Sequence, residues 1–437
     1  MMKRQQRRMK NNMKLRIQNG RLIDPSQDID AVTDLFVDNQ KIVAIGEAPE
    51  GFEDAEVVDA SGQWILPGLV DLAVSLREPG LTQKGNIATE GRAAVSGGVT
   101  TLVCPPDTRP IVDTAAVAAL IQDKADDAGM ANVFPLGALT QGLEGAQLSN
   151  MVALTDAGCI ALSNHRHPMA STKVLSRALE YAATHDLLVV FHPDESSLSE
   201  GGCAHEGLMS TMHGLAGIPE EAETIALMRD LLLVEKTGVR AHFARLSCAK
   251  SVEMIADAKA SGLDVTADVA VHNLLLNDQV LSRFNGHFHV LPPLRSDEDR
   301  LTLIEGIKAG VISAICSDHQ PHEKMAKIAP FAATEPGMAN VEILLPLAMQ
   351  LMDEGDLDFS TVLTCLTSGP AACFGLEAGS LSVGSFADFI LFDSTARWTW
   401  SYEGRKTKGH NSPYFGGEFV GRVMSTYISG QRVYQAV

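Results

Sequence analysis

An alternation limits the folds open to this chain more than any other feature. Apolar runs that read as buried strands fall at 65–72, 99–104, 132–136, 160–163, 187–192, 239–244, 264–268 and 311–316. Stretches of helical periodicity separate them, at 87–96, 114–128, 148–156, 171–184, 220–237, 249–261 and 298–309. Strand and helix signals in turn predict an α/β fold with a parallel sheet, and the count points to a (β/α)8 TIM-like barrel. The third strand is weak by itself. Residues 341–353 and 359–367 read as closing helices. In such a barrel the chemistry sits at the C-terminal ends of the strands. The first run, continued to residue 80, has Pro-Gly punctuation and a polar group at that end.

The flanks follow a different pattern. Residues 14–62 carry short β-like runs with turn chemistry at Asn19-Gly20, Asp38-Asn39 and Ser61-Gly62. β-like runs return after residue 381. The expected organisation is a tail at 1–13, half a small β-sandwich at 14–62, the barrel at 63–376 and the other half at 377–437.

The 437 residues exceed the roughly 250 of a barrel, leaving room for that second domain. A net charge of −19 argues against general nucleic-acid or membrane binding. No apolar run has the length of a membrane span. The seven cysteines are scattered without a CxxC pair, which reads as reduced thiols in a cytoplasmic protein. The first 16 residues contain seven basic side chains and no acid. They read as a disordered tail, as residues upstream of a start at Met9 or Met13, or as a basic arm for an acidic partner surface.

Several motifs are more specific. Pro67, Gly68, Asp71, Arg77, Glu78, Pro79 and Gly80 frame the first strand. Further motifs are 93–104, His272 with 274–276, 292–295, Asp318 to His322, 379–393 and 411–413. Together they resemble the dihydroorotases of the amidohydrolase superfamily over nearly the whole chain from residue 14. The resemblance supports the count of eight strands and the sandwich built from both chain ends. It also implies a one- or two-metal centre that activates a water, with an aspartate moving the proton.

Position by position, the metal-ligand pattern implied by the family is not kept. Its His-x-His falls on Ala73 and Ser75. Its fourth-strand acid or modified lysine falls on Asn164, next to His165. Its sixth-strand histidine falls on Arg245. His192 and Asp318 remain. Two ligands beside a permanent cation do not hold a divalent metal well, so the zinc site is expected to be lost, with Arg245 paired to Asp318. On the substrate side Arg77 and His322 are kept, while Asp107 replaces an asparagine and would repel a carboxylate. The chain is thus similar to the non-catalytic partner of bacterial aspartate carbamoyltransferase. That resemblance implies a catalytically inactive structural subunit of pyrimidine biosynthesis, no cofactor, and a hetero-oligomer of six chains of each kind.

Other readings stay open. His192 and Asp318 read equally as remnants held in the core, His242 and His272 as core histidines, and His287 with His289 as packing residues. His165, His167 and His192 are candidates for a relocated metal site in an active cyclic amidohydrolase. Arg77, His322 and Arg245 are candidates for holding an anion in a ligand sensor.

Overall fold

Two kinds of sheet are built by the chain, and the computed structural model describes them over residues 14–353 and 357–436. The expected tail, 1–13, lies outside the described residues. The N-terminal segment supplies β1 (Leu15–Asp24), β2 (Ile29–Asp38), β3 (Lys41–Ile45), β4 (Glu56–Asp59) and β5 (Trp64–Pro67). Asn39 and Gln40 turn the β2–β3 hairpin with positive φ. The turn expected at Asn19-Gly20 is instead a bulge inside β1, between Ile17 and Gly20, so the strand continues to Asp24.

The first expected strand is in fact two. β5 ends at Pro67 and belongs with the N-terminal strands, while β6 (Leu69–Asp71) opens the parallel ladder. Gly68 is the switch: its N–H donates to Asp388 O at 2.9 Å, and that of Leu69 to Gly98 O at 3.0 Å. Only glycine fits there, because a Cβ would lie 2.1 Å from Thr100 Oγ1.

The ladder continues through β7 (Val99–Cys104), β8 (Asn132–Pro135), β9 (Gly137–Ala138), β10 (Leu162–Ser163) and β11 (Val189–Phe191). A side pair, β12 (Ala204–His205) with β13 (Gly217–Ile218), follows. The ladder then resumes with β14 (Ala241–Phe243), β15 (Val265–Ala270) and β16 (Ala314–Cys316). β6, β7 and β8 form one parallel sheet, and β9, β10, β11, β14, β15 and β16 another. β8 and β9 are one extended segment that changes partner: Leu136 N–H donates to Cys104 O, and Gly137 N–H to Ala161 O. At the far end Val74 pairs in parallel with His319, with Ser75 N–H donating to His319 O at 2.8 Å and His319 N–H to Ala73 O at 2.9 Å. The eighth strand is shorter than expected, starting at Ala314 rather than residue 311.

Helices Ile87–Ser96, Ala115–Ala128, Thr172–Thr184, Glu221–Thr237, Ala249–Ala260 and Asp297–Lys308 lie between ladder strands. Their starts are set locally. Asn86 and Ser296 each cap a first turn, and Asp299 returns a carboxylate to the backbone of Ser296. Buried residues such as Leu69, Leu102, Val133, Leu162, Val189 and Ile315 fill the main core, in which Phe191 stacks on Phe243. No helix among the described residues is long and apolar enough to cross a membrane.

The C-terminal segment adds β17 (Phe389–Thr399), β18 (Glu418–Ile428) and β19 (Gln431–Gln435). β17 pairs antiparallel with β5, so both chain ends share one continuous eight-stranded sheet. Leu15, Ile17, Leu35, Ile65, Phe389 and Tyr427 form its separate core.

Gly68→Ala is expected to lower stability by about 1–3 kcal/mol, the range for forcing atoms into a packed site. A urea-unfolding midpoint equal to wild type would refute this account of the strand switch.

Candidate functional site

The C-terminal ends of β6, β10, β11, β14 and β16 bring the expected site residues together. Four of them sit on left-handed backbone: Arg77 (φ 61°), His165 (φ 50°), Arg245 (φ 55°) and Asp318 (φ 43°). Such a conformation costs a non-glycine residue energy, which packing around the site offsets.

Two buried carboxylates organise the centre. Asp268 accepts from Arg245 N–H at 2.7 Å and contacts His242 Nε2 at 2.9 Å. Burial would raise the Asp268 carboxyl, but Arg245 and His242 hold it below the usual range. His242 is buried too, with its other ring nitrogen 2.8 Å from Thr266 Oγ1. Burial, the largest single influence, lowers its pKa; Asp268 and Cys373 together outweigh that and push it up to about 9.

Asp318 lies between two guanidinium groups. The expected pairing with Arg245 is loose, with Nε 3.9 Å from Oδ1. Arg166 is closer, its Nη2 donating to Oδ2 at 3.2 Å, and Gln320 adds a bond of 2.9 Å. Burial raises the Asp318 carboxyl, and Arg166 with Arg245 brings it below the usual range. The sequence offers one signal for Arg166, its place two residues after Asn164.

The remaining positions divide by role. Ala73 is buried against Ala270 and Cys316, and Ser75 is buried with its backbone in the ladder. Asn164 is turned to structure: its Oδ1 accepts from Thr140 Oγ1 at 2.7 Å and its Nδ2 donates to His167 O at 3.1 Å. Asp71 takes Ala73 N–H and Ser317 N–H on one oxygen, and burial pushes its carboxyl up to about 6. Arg77 lies 3.2 Å from His322 Nε2 and donates to Pro321 O. His322 also contacts Lys84 and Pro336 O, and burial, Arg77 and Lys84 hold it down to about 2. Asp107 Oδ2 is 4.0 Å from His165 Nε2. His289 packs on Phe331 and contacts Thr334, away from the centre.

His165 and His192 meet edge to face, ring centroids 5.8 Å apart, and with His167 they line a cleft of about 80 Å³. Burial, then Arg166 and Arg245, holds both His165 and His192 well below the ordinary histidine range. Neither ring nitrogen of His192 has a hydrogen-bond partner, nor does either of His272, which burial lowers to about 4.

Residues 62–251 match the family described as dihydro-orotase-like. A dihydroorotase-like protein of Pseudomonas aeruginosa is 52% identical over 97% of this chain and 100% of its own length. A dihydroorotase of Trichlorobacter lovleyi is 38% identical over 97% of this chain and 99% of its own. The chain belongs to the dihydroorotase-like family. L-hydantoinase from Arthrobacter aurescens shares the fold, with a TM-score of 0.85 at 23% identity and 96% of each chain covered.

The dihydroorotase-like centre can be tested for its fit to a divalent cation. Its carboxylate already answers two guanidiniums, and an alanine and a serine stand at two further positions. A donor set of His192 and Asp318 beside two fixed positive charges does not suit Zn²⁺. Among the described residues no three His, Cys, Asp or Glu side chains are grouped to hold a metal ion.

The His242–Asp268 bond sets a pH dependence. A folded-state pKa of about 9, raised above the ordinary 6.5, contributes stability that is fully present below pH 6.5 and lost as pH rises through 9. The difference in unfolding free energy between wild type and His242→Gln should therefore shrink from pH 6 to pH 9.5. A difference constant across that span would remove the protonated His242 from this account.

Proposed function

We propose that this chain is a non-catalytic dihydroorotase-like subunit that assembles with the catalytic chain of aspartate carbamoyltransferase in pyrimidine biosynthesis. The observation that carries the reading is the pair Arg166 and Arg245 at Asp318. Their charge stands where the family pattern implies a metal, and a guanidinium supplies no Lewis acidity and no activated water. Ala73 and Ser75 add no ligand strong enough to compensate. No zinc or other cofactor has a role in this reading, and the protein is cytoplasmic.

The scaffold is read as a closed (β/α)8 barrel that opens at β6, Leu69–Asp71, instead of at residue 63, and runs to 376. The parallel contact of Val74 with His319 supports closure. Beside the barrel, the N-terminal strands through β5 and the segment 377–437 form one small β domain. The role follows from linkage: a partner that binds only the ordered form of the transferase stabilises that form. Six chains of each kind are expected in the complex.

A second reading is an active cyclic amidohydrolase with a rearranged metal site. It is favoured by His165, His167 and His192 sharing one cleft. Arg166 and Arg245, which act on both His165 and His192, weigh against it.

Size-exclusion chromatography with light scattering, on the chain alone and mixed with the same organism's aspartate carbamoyltransferase, separates the two readings. The expected result is a large co-eluting complex, transferase activity only when both chains are present, and no opening of dihydroorotate. Separate elution, with dihydroorotate opened in zinc-supplemented fractions, would overturn the subunit reading.

A further inference from the structure

The misfit with a cation has a positive counterpart. Buried polar atoms are nearly always hydrogen-bonded, and unpartnered ones gathered at one place point to a ligand. At the strand-end centre, Arg166 Nε, Arg245 Nε and both ring nitrogens of His192 and His272 are buried without a hydrogen-bond partner. These groups are neighbours. Arg166 and Arg245 share Asp318 and both act on His192, and Arg166 and Asp318 both act on His272.

The chemistry of the uncovered atoms selects the sign of the ligand. A guanidinium only donates, so its unused N–H calls for an acceptor. The nearby carboxylates are engaged elsewhere: Asp318 by Arg166 and Gln320, Asp268 by His242 and the backbone of Arg245. Among the acids lining the cleft, Asp194 takes Ser199 Oγ, while Glu195 and Asp230 both face Arg229; Asp107, which would repel an anion, stands on the side of His165, 4.0 Å from its Nε2. Arg77 and His322, two of the three residues expected to hold an anion, contact each other and the carbonyls of Pro321 and Pro336.

We propose that the centre binds a small oxyanion, a carboxylate or phosphate group, at the strand ends where Arg166 and Arg245 meet Asp318, next to His192. The unused N–H edges of Arg166 and Arg245 and an imidazole N–H of His192 would hold it. Charge-assisted bonds from guanidinium to such groups are strong and geometrically selective. The ligand would order Arg166 against Asp318 and so link anion binding to the shape of the strand-end loops. The proposal rests on the reading that the centre holds no divalent metal.

The test is isothermal titration calorimetry on the full chain at constant chloride, with sodium phosphate, sodium acetate and Zn²⁺ as separate titrants. One saturable anion site per chain is expected. Stronger phosphate binding assigns a tetrahedral group and stronger acetate binding a planar one. Arg166→Gln should weaken binding at least tenfold, with Arg166→Lys retaining part of it. Arg166 is 20% exposed, so its loss disturbs packing least. His192→Gln, expected to weaken binding likewise, serves if the first variant fails to fold. No saturable anion binding by wild type, or unchanged affinity in both Gln variants, overturns the anion site and leaves the subunit reading untouched. Stoichiometric Zn²⁺ binding that His192→Gln abolishes overturns both.

Discussion

Asp268 on β15 and Asp318 just past the end of the neighbouring β16 are both buried, and a buried carboxylate persists only where cations and donors answer it. Arg245 reaches towards both, 3.8 Å from Asp268 and 3.9 Å from Asp318. His242 completes the first and Arg166 the second. Arg245 and Asp318 both sit on left-handed backbone at their strand ends, a cost that these contacts help to offset. The same arrangement explains why His165 and His192, unlike His242, stay neutral. Burial and two fixed positive charges act on His165 and His192 in the same direction.

Much of the architecture could be read in the chain because it rests on periodicity. Residues 99–104 and 87–96 were recognisable as a buried strand and a capped helix, and they occur with those bounds. Events decided by tertiary contact were not legible. Nothing local shows that Pro67 and Leu69 enter different sheets; that depends on Asp388 and Gly98, distant in sequence, accepting from the adjacent N–H groups of Gly68 and Leu69. Asn19-Gly20 carries the chemistry of a turn, yet pairing with β2 on both sides makes it a bulge.

At the site, positions were legible and orientations were not. Arg245 beside Asp318 followed from the family pattern. The closer contact from Arg166 did not, because it depends on the path of the loop after β10. Asn164 stands at a strand end yet turns its amide to Thr140 and His167. Arg77 and His322 resemble a substrate clamp in sequence, but in the fold their contacts are largely with each other and with backbone carbonyls.

The motifs that made the family recognisable are in large part clamps. Asn411 takes His322 N–H at 2.7 Å and donates to Gln320 O and Gly337 O, fixing the loop after β16. Glu90 contacts buried His319 at 2.9 Å and takes Lys408 N–H, joining the first ladder helix to the last strand end. Arg295 donates to Ile218 O and Ser247 Oγ. Asp71 ties Ala73 to Ser317 across the seam. None of these bonds passes through residues 73, 75, 164 or 245 as side-chain donors or acceptors. The bonds that hold the strand ends in place are therefore independent of the side chains at those four positions.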